Sequence, residues 1–142
     1  QVANKLITEG KILAIDLKKM DLLKNVSFLQ CDFKKEETKV KIINFFDGKL
    51  DVILSDMAAD TTGTKSLDCI RTNQLCADVI NFSSETLKIK GILISKLFMG
   101  EDFLEVKKLA KSKFKKVQFF KPEASRNESK ETYIHCEALK TL

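Results

Sequence analysis

Three acidic residues stand where apolar segments of the sequence end, and carboxylates in that position are suited to ligand binding or proton transfer. They are Asp16, Asp32 and Asp56, which follow the segments 11–15, 26–30 and 50–55. Ligands of open α/β sheets bind outside the carboxyl ends of the strands, and a carboxylate there can accept two hydrogen bonds from a ribose diol. Aspartate is also common in turns, where its side chain bonds to the local main chain. The spacing alone leaves both interpretations of Asp56 open.

A lysine and a glutamate occupy comparable positions later in the chain. Lys96 closes the apolar segment 92–96, where the earlier segments are closed by an acid, and Glu131 opens the segment 131–138. By residue type and position alone, both charges are compatible with an ordinary solvated surface.

The spacing of apolar residues predicts the elements that must position these side chains. We expect strands at 11–15, 26–30, 50–55, 92–96, 117–120 and 131–138, and helices at 1–9, 36–46, 67–88 and 103–114. The run from Leu50 to Leu54 is typical of a strand that is buried on both faces of a parallel sheet. The last strand should be antiparallel to its predecessor, because the loop 121–130 is too short for a helical crossover. The prediction is one α/β domain, with a Rossmann-like sheet that carries helices on both faces.

Composition narrows the class of protein. The chain has 142 residues, of which 44% are hydrophobic and 32% charged, and no apolar run approaches the roughly 20 residues of a membrane span. Nothing at its start resembles a signal peptide, so we expect a cytoplasmic protein without a membrane segment. The cysteines lack paired spacing and one histidine is present, so we expect reduced thiols and no metal site. These cysteines are Cys31, Cys69, Cys76 and Cys136.

Positive charge is concentrated in one part of the sequence. The net charge is +5, whereas the stretch from Lys107 to Lys130 holds nine basic and two acidic residues, a net charge of +7. Such a stretch suits a polyanion, because each neutralised phosphate releases condensed counterions. The candidate RNA contacts are Lys113, Lys115, Lys116 and Arg126. A solvated lysine surface is the alternative.

Five segments together resemble a known family. In order and spacing, the chain resembles the FtsJ/RlmE family of S-adenosylmethionine-dependent ribosomal RNA ribose 2′-O-methyltransferases over nearly its whole length. The segments are GKILAIDLKKMD, FLQCDF, DVILSDMAADTTGT, ISKLFMGEDF and KPEASRNESKETYIHC. The combination of SDMA, a lysine shortly before F-x-G-E, and S-x-E-x-Y makes the resemblance specific, since each motif alone is weak.

The resemblance implies a Rossmann-like methyltransferase fold and 2′-O-methylation of a uridine in large-subunit (23S-type) ribosomal RNA. The implied cofactor is S-adenosyl-L-methionine, and the implied partner is the large ribosomal subunit or its RNA. The family's catalytic K-D-K-E tetrad places its aspartate on Asp56, its second lysine on Lys96 and its glutamate on Glu131. The family's cofactor contacts fall on Asp16, Asp32 and Asp56.

Part of the family pattern has no counterpart in this sequence. The first lysine of the tetrad, the glycine-rich cofactor loop and the strand before that loop are expected upstream of Gln1. In addition, Ala59 stands where many members have proline. A remnant that binds RNA without catalysis is therefore one alternative. A nicotinamide-dependent oxidoreductase, which Asp16 alone would allow, is another.

The implied chemistry explains the residue types. A ribose 2′-hydroxyl is a weak acid, so the enzyme must align it with the methyl donor and remove its proton. Lys96 can act as the base if desolvation or neighbouring cations lower its pKa from about 10.4 towards neutrality. Asp56 and Glu131 would then orient Lys96 and the substrate.

Overall fold

The structure, a computed structural model, describes residues 1–141. The chain divides into two compact units, the first ending at Gly48 and the second beginning at Lys49. Each unit contains its own sheet, of two strands in the first unit and four in the second. Strands and helices alternate along the chain, as the sequence predicts for an α/β protein. The assignment of the chain to a single domain stays a prediction.

The first unit is a parallel pair of strands with a helix before and a helix after it. Its elements are α1 (Val2–Leu6), β1 (Leu13–Asp16), β2 (Ser27–Gln30) and α2 (Glu36–Phe46). The bounds of α2 are as predicted, and this helix buries Thr38 and Ile42. Helix α1 is shorter than predicted, and its apolar residues Val2 and Leu6 are exposed.

The second unit is a four-stranded sheet with two helices. Its elements are β3 (Leu50–Ser55), α3 (Lys65–Thr86), β4 (Leu87–Phe98), α4 (Phe103–Lys113), β5 (Phe114–Phe120) and β6 (Glu131–Leu139). The strand order is β3-β4-β6-β5, in which β3 and β4 are parallel and β6 is antiparallel to both of its neighbours. The predicted antiparallel last strand is therefore confirmed, and it lies inside the sheet.

One face of the four-stranded sheet holds the core of this unit. Successive strand residues point to opposite faces, and on β4 the side chains of Leu93, Ser95 and Leu97 are buried. Helix α3 packs against β4 and α4 packs against both α3 and β5, so the two helices cover the same face. The helical spacing predicted for α3 is confirmed, since its apolar residues are buried there: Cys76, Val79 and Ile80, with Leu87 directly after the helix.

The opposite face of this sheet, which we call the open face, differs from the prediction. Within this unit, α3 and α4 both lie on the other face. Val52 is 50% exposed and Leu54 is 63% exposed, so the expectation that β3 is buried on both faces is wrong. The reason is that β3 is an edge strand whose side chains alternate between the helix-covered face and the open face.

Strand β4 is longer than predicted and contains an irregularity at its start. Leu50 pairs with Leu87, but Val52 already pairs with Ile92, so β4 accommodates extra residues at this point. A Cβ atom on Gly91 would lie 2.9 Å from the carbonyl oxygen of Lys88 and 3.0 Å from Leu87 Cβ. Glycine is needed here because a side chain would overlap atoms of Leu87 and Lys88.

The four cysteines are free, and three of them are buried. Burial is the main cause that raises the pKa of Cys76 to about 11 and that of Cys136 to about 12. Both therefore remain protonated thiols at neutral pH and act as small apolar core residues. Among residues 1–141, no helix has the length and apolar character that crossing a membrane requires.

We expect Gly91→Ala to destabilise the protein by about 1–3 kcal/mol, because the added methyl group overlaps main-chain atoms that cannot move independently. Gly100→Ala is the control, since its Cβ would lie 3.3 Å from the nearest side-chain atom, Cys69 Cβ, and needs only a small adjustment. Urea unfolding of the two variants measures the difference. Equal midpoints for both variants would contradict the importance of the close approach at Gly91.

Candidate active site

The register of the second sheet places four side chains in one row across its open face. Lys96 on β4 lies opposite Tyr133 on β6, and Tyr133 lies opposite Phe120 on β5. On the other side of β4, Ser55 lies opposite Ser95, so the same register continued by one residue sets Asp56 beside Lys96. Neighbouring strands are about 4.8 Å apart, a distance that allows polar contacts along the row.

Lys96 forms ion pairs with two carboxylates. Its Nζ atom lies 2.9 Å from Asp56 Oδ1 and 3.3 Å from Glu131 Oε2. The side chain of Lys96 is 12% exposed, whereas that of Asp56 is 73% exposed. The structure thus brings together the three residues that the sequence analysis selected as catalytic, and their catalytic roles stay predictions.

Tyr133 also belongs to this cluster. Its hydroxyl group donates a hydrogen bond of 2.6 Å to Asp56 Oδ1, the atom that Lys96 also contacts. Tyr133 belongs to the S-x-E-x-Y motif of the family resemblance, but the sequence predicted no role for this residue. The position of Tyr133 beside Glu131 could be predicted, because residues two positions apart in a strand lie on the same face.

Opposing effects act on the pKa of Asp56. Partial burial raises the pKa of this carboxyl, but the hydrogen bonds from Tyr133 and Lys96 and the charge of Lys96 lower it by more. The net result is a pKa below the ordinary value, so Asp56 is a carboxylate at neutral pH. Each contact that stabilises the negative charge comes from a neighbour in the row.

The environment of Lys96 differs from the one that a lysine base requires. Burial lowers the pKa of Lys96, but the hydrogen bond and charge of Asp56, together with the charge of Glu131, raise it above the ordinary lysine value. Lys96 can act as a base near neutral pH only if its pKa is lowered towards neutrality. That condition is not met here, because two anions face the ammonium group.

The other predicted acids, Asp16 and Asp32, belong to the first unit. Asp16 ends β1 and Asp32 follows β2, so both lie at the carboxyl ends of a parallel pair of strands. In each, Oδ1 accepts a main-chain hydrogen bond from the residue two positions later: Lys18 at 2.8 Å and Lys34 at 2.9 Å. These bonds are typical of aspartates in turns, and they involve one oxygen of each carboxylate.

A cleft in the first unit lies at the other end of these strands. Its lining includes Lys11, Asn25 and Ser27, which precede or begin the strands, together with Phe45 of α2. Asp16 and Asp32 do not line it. The cleft is therefore separate from the acids that the sequence analysis assigned to the cofactor.

The candidate RNA contacts do not form one continuous surface. Lys115 and Lys116 are successive residues of β5, so their side chains point to opposite faces of the sheet. Lys116 lies 3.2 Å from Glu137, which neutralises part of its charge. Lys113 ends α4, and Arg126 is exposed in the loop between β5 and β6. Binding of RNA by these four residues stays a prediction.

Comparison with known proteins shows that the chain is similar to methyltransferases. The family model described as FtsJ-like methyltransferase matches residues 1–139. The chain is 41% identical over 140 residues to the ribosomal RNA large subunit methyltransferase E of Pelagibacter ubique, covering 99% of this chain and 69% of that protein. It is 44% identical over 140 residues to the protein of the same name from Rickettsia akari, covering 94% and 62%. The chain thus spans about two thirds of the length of these curated relatives.

Solved structures show the same fold. A crystal structure described as a ribosomal RNA methyltransferase from Plasmodium falciparum superposes with a TM-score of 0.80 at 29% identity, covering 92% of this chain and 73% of that chain. Human methyltransferase-like protein 13 in complex with SAH superposes with a TM-score of 0.68 at 14% identity, covering 96% and 64%. The predicted Rossmann-like methyltransferase fold is confirmed.

We expect Tyr133 to titrate above the ordinary tyrosine pKa of about 10, because burial and the hydrogen bond to Asp56 disfavour a phenolate next to two carboxylates. Asp56→Asn removes one negative charge and should lower the titration midpoint. Tyr133 is the single tyrosine and the sequence has no tryptophan, so ultraviolet absorbance of tyrosinate reads this residue directly.

The control for this titration is Asp51→Asn. Asp51 lies on β3, the strand that Asp56 follows, but the partner of Asp51 is Lys88, at 2.6 Å. The control variant should leave the midpoint of Tyr133 unchanged. A midpoint that is the same in Asp56→Asn and in the unsubstituted protein would show that Asp56 does not influence Tyr133.

Proposed function

Because this chain belongs to the FtsJ-like methyltransferase family, we propose that the protein transfers a methyl group from S-adenosylmethionine to a ribose 2′-hydroxyl of large-subunit ribosomal RNA. A uridine is the proposed target, as the family resemblance implies. The large ribosomal subunit is the proposed partner, and the cytoplasm is the proposed location. The observation that carries the proposal is the ion-paired cluster of Lys96, Asp56 and Glu131 on the open face.

The residues of the first unit fit part of the proposed cofactor. Asp16 and Asp32 each use Oδ1 for a main-chain hydrogen bond, which fixes the carboxylate and directs its second oxygen elsewhere. A fixed carboxylate at the end of a parallel strand is a suitable acceptor for ribose hydroxyl groups. We propose that these two acids hold the nucleoside part of the cofactor, and that Asp56 also contributes.

Bound S-adenosylmethionine would supply an activated methyl group, whose bond to sulfur breaks as its bond to the ribose oxygen forms. The ribose hydroxyl must lose its proton in the same reaction. At pH 7 a neutral lysine costs about 5 kcal/mol even at the ordinary pKa, and the neighbours of Lys96 raise its pKa further. We therefore assign Lys96 the role of a cationic hydrogen-bond donor that aligns the ribose oxygen.

The carboxylates complete this assignment. An ammonium group has three N–H donors, and Asp56 and Glu131 accept two of them, so the third remains for the ribose oxygen. Lys96 and Tyr133 both contact Oδ1 of Asp56, which leaves Oδ2 of this exposed side chain as the acceptor for the departing proton. A carboxylate is a strong enough base for this step because the oxygen becomes acidic as its new bond to carbon forms.

An aromatic surface lies next to the cluster. The rings of Phe120 and Tyr133 are stacked, with centroids 5.7 Å apart and an angle of 22° between their planes. Phe120 is 43% exposed, so part of its side chain is accessible to a ligand. Single-stranded RNA is commonly bound by stacking of bases on aromatic side chains. We propose that Phe120 stacks against a base of the RNA beside the reacting ribose.

Lys96→Ala should lower kcat for methyl transfer by about 10²- to 10⁴-fold, because the ribose oxygen loses its donor. The affinity for S-adenosylmethionine should change little, since the proposed ribose-binding acids are intact. Calorimetric titration and single-turnover methyl transfer on the complete natural protein measure both quantities. Lys88→Ala, which removes another ion-paired lysine of β4, is the control and should keep normal kcat.

Lys96→Arg separates the two possible roles of the lysine. Arginine keeps the charge and the N–H donors but does not lose a proton near neutral pH. Partial activity of Lys96→Arg, well above that of Lys96→Ala, supports a donor. Equal inactivity of both variants would identify Lys96 as a base, and normal turnover of Lys96→Ala would remove it from the mechanism.

Titration of the unsubstituted protein with S-adenosylmethionine and with NAD tests the function class itself. Binding of the first, followed by methyl transfer, supports the proposal. Binding of NAD alone would favour an oxidoreductase, and binding of RNA without either cofactor would favour a non-catalytic RNA-binding protein.

Phe120→Ala should weaken RNA binding by about 1–3 kcal/mol, the usual contribution of one stacked base. Binding of S-adenosylmethionine should not change. Leu104→Ala, which removes an exposed apolar side chain from α4, is the control. Equal RNA affinities of both variants, measured by fluorescence anisotropy with labelled RNA, would place the RNA elsewhere.

A further inference from the structure

The first half of α3 carries two buried polar residues that the proposed chemistry does not use. Thr72 is 1% exposed and Asn73 is fully buried, and they are consecutive in the sequence. Buried polar side chains are costly unless they are hydrogen-bonded, and both residues have partners outside the helix. Those partners lie in the two chain segments that follow Asp56 and Lys96.

Asn73 forms hydrogen bonds with main-chain groups at the end of β4, where β3 no longer pairs with this strand. The pairing of β3 with β4 stops at Ser55 and Ser95, so Phe98 has no partner on β3. The side-chain amide of Asn73 supplies one: Nδ2 donates to the carbonyl oxygen of Phe98 at 2.9 Å, and the amide of Phe98 donates to Oδ1 at 2.7 Å. Because one contact is a donor and the other an acceptor, the orientation of the Asn73 amide is fixed.

These bonds act on the strand that carries Lys96. Phe98 follows Lys96 by two residues and pairs with Glu131 on β6, so the position of Phe98 controls both charged residues. Asn73 Nδ2 also donates to Oδ1 of Asp102 at 2.8 Å, which holds the start of α4. The segment between them is close to α3 as well, since a Cβ on Gly100 would lie 3.3 Å from Cys69 Cβ.

Thr72 acts in the same way on the segment that carries Asp56. The amide of Ala59 donates a hydrogen bond of 3.1 Å to Thr72 Oγ1, three residues after Asp56. The same segment is held further along by Asp68, which accepts two hydrogen bonds of 2.7 Å from Thr62. One turn of α3 therefore forms hydrogen bonds with the segment after Asp56 and with the segment after Lys96. The separation of these two segments determines the distance between Asp56 and Lys96.

We propose that Asn73 and Thr72 are positioning residues, which hold Lys96 and Glu131 on one side and Asp56 on the other at the spacing that methyl transfer requires. The inference rests on the proposed function. Its physical basis is the steep dependence of rate on geometry, because a misplacement of about 1 Å can lower a rate by about 100-fold.

Asn73→Asp tests the proposal with little change in volume. A carboxylate still accepts from the amide of Phe98, but it no longer donates to the carbonyl oxygen of Phe98 and it repels Asp102. We expect kcat to fall by about 10- to 100-fold, while the KM for S-adenosylmethionine is unchanged. The titration midpoint of Tyr133 should fall towards that of a free tyrosine, because the carboxylates around it are no longer held in place.

Two further variants separate positioning from folding. Thr86→Val removes another buried hydroxyl of α3, whose 2.7 Å bond to the carbonyl oxygen of Phe82 stays within the helix, and it should leave kcat and the Tyr133 midpoint unchanged. Thr72→Val keeps the shape of the side chain and removes only the acceptor for Ala59. It is expected to lower both quantities even if Asn73→Asp does not fold.

The measurements use the complete natural protein with S-adenosylmethionine and a ribosomal RNA fragment. Normal kcat and a normal Tyr133 midpoint in folded Thr72→Val or Asn73→Asp would overturn the assignment of the residue concerned. An unsubstituted protein without methyl transfer would refute the proposed function instead. The Tyr133 midpoints would still show in that case whether α3 holds the cluster.

Discussion

The arrangement of the site depends on one ammonium group that is nearly enclosed by the protein. The side chain of Lys96 is 12% exposed, and a charge in that position is unfavourable unless anions and hydrogen-bond acceptors replace the lost water. Asp56 and Glu131 supply them from the two strands that flank β4, one parallel and one antiparallel. Each charged group therefore constrains the register of a different strand pair.

Helix α3 combines two kinds of contact in one element. Its second half presents Cys76, Val79 and Ile80 to the core, where packing is apolar and tolerant of small shifts. Its first half presents Thr72 and Asn73, whose hydrogen bonds have fixed directions and lengths. Apolar burial holds the helix on the sheet, and the polar contacts determine how the chain leaves β3 and β4. The apolar half of α3 therefore anchors the helix on the sheet, and the polar half lies at the end of the sheet that carries the candidate site.

Much of this organisation could be predicted from the sequence. The bounds of α2 and β3 follow from local patterns, and the common face of Glu131 and Tyr133 follows from the alternation of strand residues. The apolar run of β3 did not reveal that one face of this strand is exposed, because Val52 and Leu54 have the composition of buried strand residues. The buried role of Asn73 was also missed, since its partner Phe98 is 25 residues away and the contact depends on where β3 stops. The direction in which the pKa of Lys96 is shifted depends in the same way on partners that are far away in the sequence.

The strand order determines when this sheet can form during synthesis of the chain. Strand β6 is the last of the four in the chain, yet it lies between β4 and β5, which have no direct pairing with each other. Until residues 131–139 have been synthesised, β4 lacks its antiparallel neighbour and β5 has nothing to pair with. During translation Tyr133 therefore joins Lys96 and Phe120 only when β6 pairs between β4 and β5, whereas β3 and β4 can pair before that step. A nascent chain that stops short of β6 holds both helices and three strands of this sheet, and it can place Asp56 beside Lys96 but lacks Glu131 and Tyr133.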